Sequence, residues 1–440
     1  MSILCRQICI FCSCGALWSM GDDTDTLQQA IDNASCTGGV VRVERGVYHI
    51  RQISLKSNVT LQLDAGAVLK GSTNHSDYVL SRFKGLISSV GQTNVTIQGE
   101  GVIDGQGRAL VWSIAAGTGL DKKFDNPQTW FLSPPRHPRP SERDRPHLVM
   151  FKECRNIRVS GVTLTGGASW VNTYYNCQNV LIEHLKIESR AFWNNDGIDI
   201  CDSKDVVIRH CELDTADDAI CLKSHQADGG VENVWIQSCK IRSSASAIKI
   251  GTPTFGRIKN IRIDDVQVRD TFRSVIAIES VDGSTVDGVE ITHVTGRNVG
   301  NPLFIRLGAR TGTGGAIRNI RIEQMDVEVS KGKPDMGLPI EGPPSAHNKD
   351  TLPIVISGMP GKKIENILLQ NCRFVFPGGC VSTHKREVQE ARANYPEFDM
   401  FGDLPSWGLY ARHITGLTLK KITFDTVLPD SRQKIWQEDN

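Results

Sequence analysis

The sequence lacks the features that mark several common classes of protein. No run of about 18 apolar residues occurs, so no stretch is long enough to cross a bilayer as a helix. Lys and Arg number 50 against 49 acidic residues, and a net charge of +1 gives no overall field that would attract nucleic acid. The 13 cysteines lack the close paired spacing of a zinc site or a disulfide framework. We therefore expect no membrane or nucleic-acid partner and mostly free thiols.

The first twenty residues differ from the rest of the chain. They hold an apolar, cysteine-rich stretch, ILCRQICIFCSCGALW, which Arg6 interrupts and which no small-residue cleavage site follows. We interpret residues 1–20 as an atypical N-terminal segment or the remnant of a signal peptide. Residues 21–440 are then expected to form one domain.

What the sequence has in abundance is a repeated phrase: Asn or another turn residue, then alternating apolar positions, a turn and a second short strand. Its copies begin at Asn58, Asn94, Asn156, Asn179, Asp205, Asn233, Asn260, Gly288, Asn319, Asn366 and Gly416. From Asn156 to Gly288 the successive spacings are 23, 26, 28, 27 and 28 residues. That period is too short for a strand-helix-strand unit and is typical of one coil of a parallel β-helix. The repeat predicts an all-β protein.

Equivalent positions of successive coils should stack, because a single coil cannot bury its own apolar face. Cys211, Cys239 and Cys372 each lie six residues after the start of their phrase, which indicates small apolar filling of the core rather than a redox or metal site. The recurrent corner Asn is interpreted as a turn residue whose side chain bonds to local backbone and to its stacked neighbours. Neither group is assigned a catalytic role.

Helix signals are confined to the start, where DDTDTLQQAIDNA (Asp22 to Ala34) predicts one helix that closes the open end of the stack. Three gaps interrupt the period, at Gly105 to Leu148, Lys331 to Lys363 and Pro377 to His413. We expect long inserted loops there, since loops on a rigid scaffold commonly form the walls of binding clefts.

Two adjacent coils carry an unusual density of acids. NNDGIDICD contains Asp196 and Asp199, and TADDAICLKS contains Asp217 and Asp218. Asp196 and Asp217 are 21 residues apart, close to one coil, so both should project from the same face. In NDGIDI the alternation places the isoleucines inward and Asp199 on the outer face.

Like charges on stacked strands repel each other, so a purely structural protein gains nothing from gathering them. Clustered carboxylates push their pKa values apart, and glycosidic hydrolysis needs one protonated and one ionised carboxyl group. A calcium site and a solvated acidic rim, with Lys223 as one partner, remain open as alternatives.

At these residues the chain resembles the polygalacturonase family of glycoside hydrolases, family 28. NNDGIDI (Asn194 to Ile200) matches the family's Asn-x-Asp motif, and DDAICLKS (Asp217 to Ser224) matches its Asp-Asp motif. The opening GALWSMGDDTDTLQQAID and the segment GASWVNTYY, which carries Trp170, are also similar. The resemblance covers nearly the whole length and implies a single right-handed parallel β-helix.

The resemblance also implies roles for individual residues. Asp217 would be the general acid, Asp196 and Asp218 would activate water with inversion at the anomeric carbon, and Asn194 would orient the site. Inversion requires a carboxyl separation of roughly 6.5 to 9.5 Å to admit that water. Trp170 would approach the sugar. No metal or organic cofactor is implied.

The chain departs from the family pattern at two places. The family's Gly-His-Gly is replaced by Ala-Ser-Ala around Ser246. Its Arg-Ile-Lys, which grips an acidic sugar, is replaced by Ile276, Ala277 and Ile278, which Glu279 follows. The expected substitutes and further substrate contacts on this face are Asp199, Lys223, His225, Ser246, Lys249, Arg273, Glu279, Arg306 and Arg310.

The sequence therefore predicts an extracytoplasmic hydrolase of a pectic or related uronic-acid-containing polysaccharide or oligosaccharide. A calcium-dependent polysaccharide lyase and a non-catalytic glycan-binding β-helix are the alternatives.

Overall fold

The computed structural model describes residues 7–9, 22–79, 83–120, 140–312, 314–337, 352–381 and 387–438. Within them the helices are α1 (Thr24–Thr37) and α2 (Gly107–Thr118), with two short 3-10 helices at His75–Asp77 and Glu142–Asp144. Neither α-helix has the length or the apolar character to cross a bilayer, and the described residues contain no other candidate span. Everything else in regular structure is strand.

The strands up to residue 215 are β1 (Gln7–Cys9), β2 (Gly39–Val43), β3 (Gly46–Ile50), β4 (Ile53–Ser54), β5 (Val59–Leu63), β6 (Ala67–Gly71), β7 (Gly85–Val90), β8 (Thr93–Gly99), β9 (Val102–Asp104), β10 (His147–Lys152), β11 (Arg155–Ser160), β12 (Thr163–Thr165), β13 (Asn172–Tyr175), β14 (Gln178–Glu183), β15 (Lys186–Ser189), β16 (Ile198–Cys201), β17 (Lys204–Arg209) and β18 (Glu212–Thr215). Those that follow are β19 (Ile220–Ser224), β20 (Gly230–Ser243), β21 (Ile248–Thr254), β22 (Arg257–Ser280), β23 (Thr285–Leu307), β24 (Ala316–Val329), β25 (Ile354–Ser357), β26 (Ile364–Gly378), β27 (Ser406–Arg412), β28 (Ile414–Leu428) and β29 (Gln433–Glu438).

The chain divides into two compact units. The first comprises Met1–Asp199 with Asp205–Ala216, and the second comprises Ile200–Lys204 with Asp217–Asn440. The sequence predicted one domain from residue 21. The strand β1, which pairs in parallel with β2, comes from the segment before that residue. The rest of the predicted signal remnant lies outside the described residues, and the boundary at residue 20 stays a prediction.

Each unit is a stack of parallel rungs in which equivalent apolar side chains lie above one another. In the first unit, strand register stacks Val41, Leu61, Ile97, Val159 and Ile182, all with 0% exposure. In the second unit, register stacks the buried side chains of Ile236, Ile263, Ile291, Ile322 and Leu369. Full burial of such a side chain contributes about 1.5–3 kcal/mol. The stacked core predicted from the repeat is confirmed.

The cysteines predicted to fill the core are buried. Cys211, Cys239 and Cys372 are free thiols with 2%, 1% and 2% exposure. Each thiol donates to the carbonyl oxygen two residues before it, at 3.2–3.3 Å. They therefore fill space at a corner of the coil and satisfy a local backbone acceptor.

The helix predicted at Asp22 to Ala34 is confirmed as α1, which begins two residues later and continues to Thr37. Leu27, Ala30, Ile31 and Ala34 form its buried face, at helical spacing. This face packs against β2, β4 and β5 of the first unit, which fits a helix at the end of a stack.

The prediction that helices occur only at the start was wrong, since α2 lies inside the first predicted loop. Leu110, Val111, Ile114 and Ala115 are its buried face, and Gly119 ends it in the left-handed conformation, with its N–H donating to helix carbonyls. Two further predicted loops contain the strands β25 and β27, which pair with each other and extend the rungs of β23. They were missed because neither carries the corner Asn by which the phrase was recognised.

The corner asparagines form the predicted ladder. In the first unit, the Nδ2 atoms of Asn94, Asn156 and Asn179 each donate to the Oδ1 of the preceding asparagine, Asn58, Asn94 and Asn156, at 2.8 Å. All four have φ between 53° and 61°, a left-handed conformation that Asn tolerates better than most residues. The recurrent Asn thus combines a turn with a hydrogen bond along the stack.

Replacing Asn94 should reveal both contributions. Asn94→Ala loses two ladder hydrogen bonds and places Ala at φ 57°, so we expect a loss of about 1–3 kcal/mol in the free energy of unfolding. Asn94→Gly avoids the backbone strain and should cost less. Denaturant unfolding of both variants measures the difference, and equal losses would show that the left-handed backbone contributes nothing.

Candidate active site

The paired aspartates Asp217 and Asp218 occupy the turn between β18 and β19. Asp218 is 5% exposed, whereas Asp217 is half-buried. The Asp218 N–H donates to Asp217 Oδ1 at 2.9 Å, and the Ser246 N–H on the next rung donates to Asp218 Oδ1 at 2.8 Å. The other carboxylate oxygen of Asp218 lies 3.2 Å from Lys249 Nζ. Asp218 is therefore held by one backbone donor and one cation.

These surroundings separate the pKa values of the two aspartates. Burial raises the pKa of Asp217, and the neighbouring Asp218 carboxylate raises it further. Burial also acts to raise the pKa of Asp218, but Lys249, Arg273 and the Ser246 N–H together outweigh it, so this pKa lies below its usual value. One aspartate is thereby favoured as a proton donor and the other as a base.

Lys249 is the cation that fixes this difference. Its side chain is 2% exposed, and its ammonium also donates to Tyr395 Oη at 3.3 Å. Thr252 Oγ1 donates to the same phenol oxygen at 3.0 Å. Burial alone would lower the pKa of Lys249, but the carboxylates of Asp218 and Glu279 raise it well above its usual value. Lys249 therefore keeps its charge.

A second ion pair adjoins the first. Arg273 Nε lies 3.1 Å from Glu397 Oε2, and both side chains are mostly buried. Burial raises the pKa of Glu397, partly opposed by Arg273 and Lys249. We call Asp217, Asp218, Lys249, Arg273, Glu279 and Glu397, all in the second unit, the charged cluster.

Glu279 is the least satisfied member of the charged cluster. It is 2% exposed, and its Oε2 has no hydrogen-bond partner among the described residues. Burial is the main cause that raises its pKa to about 8, with Glu397 and Asp218 adding to the rise and Lys249 opposing it. Below that pH the group is mostly a neutral carboxylic acid.

Two arginines that the sequence predicted to contact substrate, Arg306 and Arg310, have protein partners in the structure. Arg306 is 1% exposed and donates to Ser357 Oγ and to the carbonyl oxygens of Gly358, Glu390 and Ala391. A guanidinium buried in this way anchors the segment after residue 387, and its predicted contact with substrate stays a prediction. Arg310 makes a bidentate pair with Asp282, with both N···O distances 2.8 Å.

Lys223 and His225 end the strand that follows the paired aspartates. Lys223 is 4% exposed. Asp202 organises the end of this strand, because its carboxylate accepts from Ser224 Oγ at 2.6 Å and from the His225 N–H at 2.9 Å. Burial raises the pKa of Asp202. The role of His225 as a substitute for the family histidine stays a prediction.

The remaining predicted site residues belong to the first unit. Asp196 is 4% exposed, and its carbonyl oxygen accepts from the Val171 N–H at 2.9 Å. Asp199 was predicted on the outer face of the strand but is fully buried. The outer face is therefore not exposed to solvent at this residue. Asn194 adopts φ 60°, and its Oδ1 accepts from Arg145 Nη2 at 2.8 Å.

Trp170, the predicted sugar contact, is partly exposed. Its ring lies 5.4 Å from that of His147 in an edge-on arrangement and is stacked with Tyr175 at 6.3 Å. These neighbours fix the orientation of the indole.

Sequence reasoning missed Asn195, which supports its two neighbours in the Asn-x-Asp motif. Its buried Oδ1 accepts from the N–H groups of Ala191 and Phe192, and its Nδ2 donates to the carbonyls of Gly167 and Ser169. These four backbone bonds fix the turn that carries the motif. The only sequence signal was its place between Asn194 and Asp196.

Sequence reasoning also missed Tyr395 and Glu397. Both lie in an irregular segment without the repeated phrase, and no spacing connects them to Lys249 or Arg273. Phe398, Leu404 and Phe401 anchor this segment on buried side chains of β22, β23 and β27. The segment predicted as a cleft wall thus contributes side chains to the charged cluster.

Comparison with known proteins agrees with this geometry. The family model for glycosyl hydrolases family 28 matches residues 36–333. The chain belongs to this family. An endo-polygalacturonase of Pectobacterium parmentieri is 25% identical over 299 residues, covering 64% of this chain and 71% of that protein. An exo-poly-alpha-D-galacturonosidase of Dickeya chrysanthemi is 26% identical over 283 residues, covering 54% and 46%.

Solved structures of family 28 share the fold. The exopolygalacturonase of Yersinia enterocolitica aligns with a TM-score of 0.69 at 17% identity, covering 98% of this chain and 77% of that one. The hyperthermoactive exopolygalacturonase of Thermotoga maritima aligns with a TM-score of 0.62 at 19% identity, covering 96% and 92%. The parallel β-helix that the repeat predicted is confirmed, as is the right-handed form that the resemblance implied.

Proposed function

We propose that this family 28 protein hydrolyses a glycosidic bond in a pectic polysaccharide or oligosaccharide. The observation that carries the proposal is the asymmetric setting of the aspartate pair: Lys249 Nζ lies 3.2 Å from Asp218 Oδ2, and the Ser246 N–H donates to Asp218 Oδ1 at 2.8 Å. This setting favours the ionised form of Asp218 and the protonated form of Asp217. The relatives named as polygalacturonases support a substrate that contains galacturonic acid. A polymer of this kind also favours an extracytoplasmic location.

In the proposed reaction, Asp217 donates its proton to the glycosidic oxygen as the bond from that oxygen to the anomeric carbon breaks. Asp218, together with Asp196, removes a proton from water while the water oxygen bonds to the anomeric carbon from the opposite face. The products are two saturated sugars, and the one that carries the attacked carbon has an inverted anomeric centre. The base then releases to solvent the proton that it took from water, and a proton from solvent restores the acid form of Asp217.

Product analysis tests the reaction type. The protein is incubated with pectic polymers and oligosaccharides, with and without a chelator, and products are identified by mass and ultraviolet absorbance. Hydrolysis predicts products whose summed mass exceeds that of the substrate by one water. These products show no absorbance from a new double bond and form in equal yield with and without chelator. Unsaturated products lost on chelation would establish a calcium-dependent lyase. Saccharide binding without any product would favour a glycan-binding role.

The pH dependence of kcat should be bell-shaped, with its optimum on the acidic side. Asp218 must be ionised, so activity rises with pH through a pKa below 3.8. Asp217 must be protonated, so activity falls as pH rises through a pKa above 3.8. Rates measured from pH 3 to 9 on one oligosaccharide check this, and the basic limb should disappear in Asp217→Asn. An unchanged basic limb in that variant would assign the proton donor elsewhere.

A further inference from the structure

Arg145 is a buried arginine that joins its own segment to two others in the first unit. Its side chain is 2% exposed. Nε donates to the carbonyl oxygen of Pro140 at 3.2 Å, and Nη1 donates to those of Ala168 and Trp193 at 3.0 and 2.8 Å. Ala168 precedes Trp170, the predicted sugar contact, by two residues, and Trp193 directly precedes the Asn-x-Asp motif. One planar guanidinium therefore fixes two segments of the predicted site to the segment before β10.

The fourth hydrogen bond of Arg145 determines how the side-chain amide of Asn194 is oriented. Nη2 donates to Asn194 Oδ1 at 2.8 Å. An arginine has five N–H donors and no acceptor, so the atom of the amide that faces it must be the oxygen. The NH2 group of Asn194 is therefore directed away from Arg145, and no described residue accepts a hydrogen bond from it. Because Asn194 is partly exposed, this group is available to a ligand.

The backbone at Asn194 is fixed on both sides. The carbonyl oxygen of the preceding Trp193 accepts from Arg145, and the side chain of the following Asn195 makes four hydrogen bonds to backbone groups. Asn194 itself adopts φ 60°. With the backbone fixed, the amide can change direction only by rotation of its side chain, which the bond from Arg145 opposes. The result is a hydrogen-bond donor that is oriented before any ligand arrives.

We propose that Arg145 is a positioning residue, which holds the Asn194 amide so that its NH2 group donates a hydrogen bond to an oxygen of the bound sugar. The inference rests on the proposed pectic hydrolase function and adds a residue that sequence reasoning did not identify. Hydroxyl, ring and carboxylate oxygens of a uronic acid all accept such a bond. Arg145 acts through Asn194, because its own side chain is buried.

The first test replaces the donor and keeps the bond to Arg145. Asn194→Asp retains an oxygen for the guanidinium but has a second acceptor where the NH2 group was. Its kcat/KM on a galacturonic acid oligosaccharide should fall at least about tenfold, while the midpoint of thermal unfolding stays at the wild-type value. Asn194→Ala, which adds no charge, should show a similar loss of kcat/KM. If Asn194 served only as an acceptor for Arg145, Asn194→Asp would keep wild-type activity.

A double-mutant cycle then shows whether Arg145 acts through Asn194. Arg145→Met frees the amide to rotate and should also lower kcat/KM at least about tenfold. Combined with Asn194→Ala, it should lower kcat/KM no more than about threefold below the more impaired single variant, because both changes remove the same interaction. A structural role for Arg145 that is independent of Asn194 would multiply the two losses. Arg143→Met removes an exposed arginine of the same segment and, as the matched control, should leave kcat/KM unchanged.

Each outcome bears on a different claim. A wild-type protein that does not hydrolyse the oligosaccharide removes the proposed function and the inference with it. When the wild type is active, multiplied losses in the double variant, or wild-type kcat/KM in Asn194→Asp, overturn the inference alone. If Arg145→Met does not fold, Asn194→Asp decides, and a loss of activity with an unchanged unfolding midpoint supports the inference.

Discussion

Asp217→Asn is expected to lower kcat on a pectic oligosaccharide by about 10²–10⁴, because the amide has no proton to give to the leaving oxygen. An aryl galacturonide with a nitrophenolate leaving group needs no such proton, so its hydrolysis should be far less affected. Asp218→Asn removes the base and should slow both substrates alike. Steady-state rates of the two variants on the two substrates measure this.

The comparison separates an acid from a base, which a simple loss of activity does not. Asp425→Asn, an exposed acid on β28, is the control and should leave both rates unchanged. An Asp217→Asn variant equally impaired on both substrates would show that Asp217 does not protonate the leaving group.

Lys249→Met should produce the largest loss of stability. The side chain is 2% exposed and lies against a carboxylate that is 7% exposed, and breaking such a pair by removing one partner typically costs about 3–5 kcal/mol. Lys259→Met, which breaks a partly exposed pair with Glu232, should cost less than about 1 kcal/mol. Denaturant unfolding of both variants provides the comparison, and equal losses would contradict the buried pair.

The stability that Lys249 provides should depend on pH with a definite sign. The lowered pKa of Asp218 makes its contribution fully present above the ordinary value of 3.8 and lost as pH falls through the lower folded value. The raised pKa of Lys249 makes its contribution present below 10.5 and lost only above the raised value.

In Lys249→Met the pKa of Asp218 should rise, so the acidic limb of kcat should move to higher pH. The double variant with Asp218→Asn should recover part of the stability.

The repeated phrase predicted the parallel rungs because stacking is a translation of one local pattern. Once Asn156 and Asn179 are recognised as corners, the strands between them follow. The turn that the phrase predicts before its second strand lies five residues after the first corner, where Gly161, His184 and His210 are also left-handed. Those positions hold different residue types, so no single letter marks them.

The candidate site was predictable where it follows the rungs and not where it depends on the insertions. The repeat period predicts the proximity of Asp217, Lys249 and Glu279, because these residues belong to successive rungs. Tyr395 and Glu397 reach the same place through tertiary packing of an irregular segment, which no period encodes. The hydrogen bonds that Arg306 donates to carbonyl oxygens of that segment could not be predicted, for the same reason.

The stereochemistry of hydrolysis tests the account most directly. Proton NMR of the first minutes of hydrolysis of a defined pectic oligosaccharide identifies the anomer that forms before mutarotation. The proposed activation of water by Asp218, with Asp217 protonating the leaving oxygen, predicts the inverted anomer. The retained anomer would require a covalent glycosyl-enzyme intermediate and would contradict the roles assigned to these carboxyl groups.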